Sequence, residues 1–151
     1  MGVLIAGFGM IALTLAIHTL GASQWLKFAA RRHRNAAEEK RLSNLFFILL
    51  YTASVLMLLH LLEAFLWALL FLQLPGQAGL SNLHDAFYFS VITFTTLGYG
   101  DITLSRDWQV LAGMEGMVGI IVFGLTTAVL FAIIQKSWSY PRHGKNEVNE
   151  K

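Results

Sequence analysis

The chain has 151 residues, 56% of them hydrophobic and 13% charged, with a mean hydropathy of +0.58. That composition excludes an ordinary soluble globular domain and marks an integral membrane protein. There is no cysteine, so disulfides and thiolate metal sites are excluded, and the net charge of +2 matters less than where the charges sit.

The first apolar segment, Val3 to Leu26, is long enough to cross a bilayer with some tilt and has only His18 as an ionisable residue. A secretory signal peptide would carry its basic residues before the apolar stretch. Here they follow it, as Lys27, Arg31, Arg32, Arg34, Lys40 and Arg41. We read a retained transmembrane helix with its N-terminus outside and a cytoplasmic basic loop at 27–43. The same stretch, 27–41, offers attraction to anionic lipid headgroups. It lacks aromatic interleaving, so nucleic acid is not an expected partner.

Leu45 to Leu74 is the second apolar segment, about 45 Å long as a helix, and Pro75-Gly76 is expected to stop it. His60 and Glu63 share one of its faces, in the half of the membrane away from the basic loop. Ser81-Asn82 supplies cap residues for a short helix over 83–95, too short to span a bilayer and therefore re-entrant. Its C-terminus would aim partial negative charge at the membrane centre. The chain then returns through Asp101 to Asp107, and a third apolar segment runs from Gln109 to Ile134 with Gly113, Gly116, Gly119 and Gly124 along it. Small residues at such spacing let helices approach closely. Lys136, Arg142, Lys145 and Lys151 place the tail at 137–151 on the same side as the basic loop.

Between the short helix and the third segment lies Thr95-Thr96-Leu97-Gly98-Tyr99-Gly100-Asp101. A bare cation in a membrane needs oxygens in place of its hydration shell, and backbone carbonyls supply them without fixed charge. Successive carbonyls face one way only if the backbone alternates between left- and right-handed regions, which Gly98 and Gly100 tolerate. Leu97 and Tyr99 are expected to pack behind the strand.

Thr96 to Gly100 resembles the selectivity filter of potassium channels, and the resemblance extends over Leu45 to Ile134 as outer helix, pore helix (83–95), filter (96–100) and inner helix. It implies an all-α membrane protein with three transmembrane helices, a re-entrant pore helix and an extended filter. One chain brings one pore loop, so it also implies a homotetramer. The expected activity is passive, selective potassium conduction at the cell membrane, with potassium held by carbonyls of Thr96, Leu97, Gly98 and Tyr99 beside Gly100. Potassium is cargo, and no cofactor or enzymatic activity is expected. The alternative is a non-conducting subunit that assembles with other channel subunits.

Phe123 to Ala128 resembles the inner-helix stretch of simple bacterial members, with Gly119 at the hinge position and Thr127 and Phe131 as gate residues. Close packing against a neighbouring helix explains Gly119 equally well. Two departures stand out. Leucine replaces the usual valine at Leu97, and Ile92 stands where some members carry a glutamate that pairs with the aspartate after the filter. Asp101 therefore needs another partner, and the hydroxyl of Tyr88 is the candidate. His60, Glu63 and Glu115 are expected to meet behind the filter, as a hydrogen-bonded bridge or a proton sensor. No voltage-sensing arginine repeat accompanies them.

Overall fold

A computed structural model describes residues 1–33, 41–74 and 80–138. Among these residues there are four helices: α1 (Gly2–His33), α2 (Arg41–Leu72), α3 (Leu83–Phe94) and α4 (Gln109–Trp138). The protein is all-α, with no strand among the described residues. Within α1, α2 and α4, the stretches Gly2–Ala29, Leu45–Leu72 and Gln109–Gln135 are long and apolar enough to cross a membrane. Only 17% of the most apolar window of each is buried within the chain. Apolar side chains therefore point outward, as in a helix bundle surrounded by hydrocarbon rather than water.

The helix ends differ from those expected in informative ways. The first helix continues beyond Leu26 to His33, because Lys27, Arg31 and Arg32 are good helix formers once the span is nucleated. The second stops at Leu72, with Gln73 and Leu74 closing a tighter final turn onto the carbonyls of Leu70 and Phe71. Pro75-Gly76, the basic residues at 34–40 and the tail from 139 lie outside the described residues. The fourth helix passes the expected end at Ile134 and reaches Trp138 without interruption.

The short helix α3 begins where its caps predict. Asn82 is extended (φ −149°, ψ 170°), and its side-chain oxygen accepts from the Asp85 amide at 2.9 Å. Asp85 in turn accepts from the Asn82 amide group at 2.9 Å and from Ser81 at 3.3 Å. The first bond satisfies one orphan backbone donor of the first turn, and the others hold a carboxylate at the positive end of the helix.

Ala64, Trp67, Ala68 and Phe71 of α2, Ala86, Phe89 and Phe94 of α3, and Leu111, Met114, Val118 and Val122 of α4 form the core. The first helix packs on both α2 and α4. It gets close through glycine: a Cβ on Gly7 would overlap the Met114 thioether, and one on Gly21 would meet Leu59 Cδ1 at 2.8 Å.

The tightest approach is at Gly119. A Cβ there would collide with the backbone carbonyl of Phe94, at the last turn of α3. Close packing, one of the two roles considered for Gly119, is thus present in the fold. A Cβ on Gly116 would make only ordinary contact with the Thr93 carbonyl, whereas Gly113 and Gly124 face open space. Gly119→Ala is expected to push α3 from α4 and lower stability by about 1–3 kcal/mol, as overpacking does. Thermal unfolding of the detergent-solubilised protein checks it, and an unchanged midpoint would contradict the close approach.

Candidate functional site

The end of α3 delivers the chain into the 96–100 segment through bonds to the carbonyls of Val91, Ile92 and Thr93 in its last turn. Thr95 N–H and its hydroxyl both donate to the Val91 carbonyl, at 3.0 and 2.7 Å. Thr96 N–H donates to Thr93 at 2.9 Å, and Gly98 N–H reaches back to the Ile92 carbonyl at 3.0 Å. Backbone at membrane depth must find such partners.

The segment then alternates in handedness. Thr96, Gly98 and Gly100 have φ of 61°, 52° and 78°, and the residues between them are not in the positive-φ region. Two of these positions are the glycines expected to supply that freedom. Thr96 was not anticipated: it is the only non-glycine with positive φ among the described residues. Such a conformation costs on the order of 1–3 kcal/mol and persists only where surrounding bonds over-determine it.

Leu97 and Tyr99 differ from expectation. They are 59% and 70% exposed, so the chain does not itself supply the surface behind them. The reason is geometric: α3 approaches the segment from the side that Ile92 and Thr93 cover, where a hollow of about 280 Å³ is lined by these residues, Gly98, Gly100, Leu104 and Ala112. Thr127 and Phe131 are likewise exposed along α4, and the Thr127 hydroxyl bonds its own helix at the Phe123 carbonyl.

Just past the segment, Tyr88 of α3 donates its hydroxyl to Asp101 Oδ2 at 2.7 Å. Ile92 is buried in the core, and its side chain offers no polar group. The hydrogen bond from Tyr88 holds the Asp101 carboxyl below its usual range, and the same bond to Asp101 raises the Tyr88 phenol. Because the Asp101 value is depressed on folding, its contribution is present above the ordinary carboxylate range and lost as pH falls through the lowered value. The raised Tyr88 value has the opposite sense, so its contribution is lost only as pH climbs past the ordinary phenol range. Replacing Tyr88 by Phe is expected to return Asp101 towards an ordinary carboxylate. Carboxyl carbon NMR titration reads this, and an unmoved Asp101 would contradict the pairing.

The three membrane-depth ionisable residues do not form one cluster. His60 and Glu63 meet, with His60 Nδ1 3.3 Å from Glu63 Oε2. Their third partner is His18 of α1, whose Nδ1 lies 3.1 Å from Glu63 Oε1. The imidazoles of His18 and His60 stack at 5.0 Å with 14° between planes, and both Nε2 atoms face Thr126 Oγ1, at 3.3 and 2.9 Å. All three ionisable groups are buried.

Glu115 is fully buried elsewhere, against Ser90 of α3. Its position explains the separation: on α4 it lies closer to α3, while Thr126 is the residue that faces His60. Ser90 Oγ also lies 2.6 Å from the Ala64 carbonyl, which can only accept. A hydroxyl has one hydrogen, so if Ser90 gives it to Ala64, Glu115 must supply the other as a neutral carboxyl. An ionised Glu115 with no cation among its described partners would cost several kcal/mol. Glu115→Gln keeps a donor for Ser90 and is expected to stay within about 1 kcal/mol of wild type. Glu115→Ala leaves the site unmade and should lose about 1–3 kcal/mol. Unfolding midpoints of the two variants check this, and Gln proving the more damaging would refute the neutral acid.

Two helices long enough to span a membrane, a short helix between them and a left-right alternating segment define a membrane protein built around a pore-loop module. A family model for ion channels matches residues 45–136, and the chain belongs to that family. Its α1 is an additional apolar helix outside the matched region. No curated protein and no solved structure matches the chain.

Proposed function

We propose that the protein is a potassium-selective channel, conducting passively through carbonyls of Thr96, Leu97, Gly98 and Tyr99 gathered from four copies. The observation that carries this reading is the alternation of φ at Thr96, Gly98 and Gly100. It is the backbone form that turns successive carbonyls to one side, where they replace a cation's water shell.

A single column of carbonyls cannot surround an ion, so the reading requires a closed symmetric assembly. Four copies give a ring, and the exposed Leu97 and Tyr99 are then covered by neighbouring copies. Tyr88 and Asp101 brace the outer end of the segment. Thr127 and Phe131 line the opposite half of the pathway, where a ring of Phe131 side chains would gate by excluding water. The basic residues at 27–41 favour a cytoplasmic loop beside anionic lipid at the cell membrane, with the N-terminus outside.

Purified protein in potassium-loaded liposomes is expected to release potassium several-fold faster than sodium, and barium should block the release. Gly98→Ala places a Cβ at φ 52°, at a cost of about 1–2 kcal/mol, and should abolish flux while helicity is retained. Equal sodium and potassium release would overturn selectivity. Absence of any flux would instead favour a non-conducting subunit.

A further inference from the structure

His18, His60, Glu63 and Thr126 close a ring of hydrogen bonds that joins three helices. His18 stands just past the middle of Gly2–Ala29, His60 just past that of Leu45–Leu72, and Thr126 just past that of Gln109–Gln135. The ring therefore sits at mid-membrane, where an unmade bond or net charge is most costly.

Counting hydrogens around the ring fixes its proton content. An ionised Glu63 has only lone pairs to offer, so both Nδ1 atoms that face it must carry hydrogen. If both imidazoles are neutral, both Nε2 atoms are then acceptors. They face one Thr126 hydroxyl, which has a single hydrogen, and one Nε2 is left without a donor. One added proton removes the conflict: one Nε2–H donates to the Thr126 oxygen while the Thr126 hydroxyl donates to the other ring. The four side chains then balance as one carboxylate, one imidazolium, one neutral imidazole and one hydroxyl, with no net charge. A second added proton would leave the ring positively charged. Passing the imidazolium's Nδ1 proton to Glu63 leaves that Nδ1 accepting from the new carboxyl and keeps every bond with the Thr126 hydroxyl unchanged, so the proton belongs to the ring rather than to one residue.

We propose that this ring is a proton-binding site that takes one proton beyond an ionised Glu63 and two neutral imidazoles, and that the bound proton fastens α1 to the pore module. His18 lies outside the matched region 45–136, while Glu63, His60 and Thr126 lie within it. The ring also touches the helix that ends at the 96–100 segment. The His60 ring is 4.4 Å from Phe123 and 6.1 Å from Phe94, the last residue of α3. Losing the proton strands one acceptor and weakens the α1 attachment at that rung.

The surroundings contribute little competing charge. Phe94 is the group α3 turns to the ring, and Phe123 lies beside it from α4. Glu115 is the nearby titratable group on α4, bonded to Ser90, whose oxygen also meets the carbonyl of Ala64 next to Glu63. Two imidazoles and a carboxylate within 4.8 Å are also a donor set known for zinc. The stacked rings argue against that use, because planes only 14° apart direct their lone pairs side by side rather than to one point.

Histidine-labelled full-length protein in detergent, washed with chelator, tests the site by NMR, with His18→Gln and His60→Gln assigning the two rings. In wild type both rings should shift together in one step worth one proton. Thr126→Ser should preserve that joint step, and Thr126→Val should split it into two separate titrations, with circular dichroism confirming that each variant folds. Independent titration of the rings in wild type would overturn the proposal, and that comparison stands even if Thr126→Val fails to fold. Stoichiometric zinc uptake that abolishes the joint step in wild type, and that His18→Gln fails to show, would replace the proton with a metal.

Discussion

The contact on which the candidate pathway depends is the one between Gly119 and the Phe94 carbonyl. A re-entrant helix ends inside the bilayer, where its last carbonyls find no water and its position cannot be fixed by a polar surface. Here α3 is seated against α4 as closely as a backbone permits, and its last carbonyls accept from Thr95, Thr96 and Gly98. The same bonds that satisfy the helix end pull the 96–100 segment into place. Any residue larger than glycine at position 119 moves α3, and with it the segment.

Polar contacts then set how the apolar helices slide against each other. Trp25 donates to Thr52, His18 meets Glu63, and Trp67 donates to Thr14, with indole bonds of 3.0 Å at either end. Read along α1 and α2, these contacts run in opposite chain directions, as an antiparallel pair requires. Leucine packs acceptably on leucine at many offsets, whereas each of these pairs forms at one. Interhelical hydrogen bonds in membranes average about 0.6 kcal/mol, so their effect is more on register than on total stability.

Much of this arrangement was legible in the residues, and what was not has physical reasons. Hydropathy marked the three long helices, the caps Ser81 and Asn82 marked α3, and Gly98 and Gly100 marked the need for positive φ. Thr96 gave no such sign, because a threonine forced into the left-handed region is the result of bonds made by its neighbours. His18 looked isolated on an apolar helix, since its partner lies 45 residues away and only helix packing brings them together. Ser90 gives no sign for a related reason: hydropathy says nothing about a serine that will face a buried glutamate. Mid-span polar residues on every predicted helix, paired by depth, would have been the usable signal for His18 and Thr126.

The placement of α1 bears on how a pore can form. The buried residues Leu111, Met114, Glu115, Val118 and Val122 give α4 one face turned to the rest of the chain. Met117, Ile120, Gly124 and Phe131 lie elsewhere on it and remain uncovered. Packing of α1 over those residues would have covered them. Instead α1 docks through Gly7 on Met114 and through Gly21 on Leu59. The added helix therefore thickens the bundle while leaving residues 96–100 and Met117, Ile120, Gly124 and Phe131 of α4 exposed.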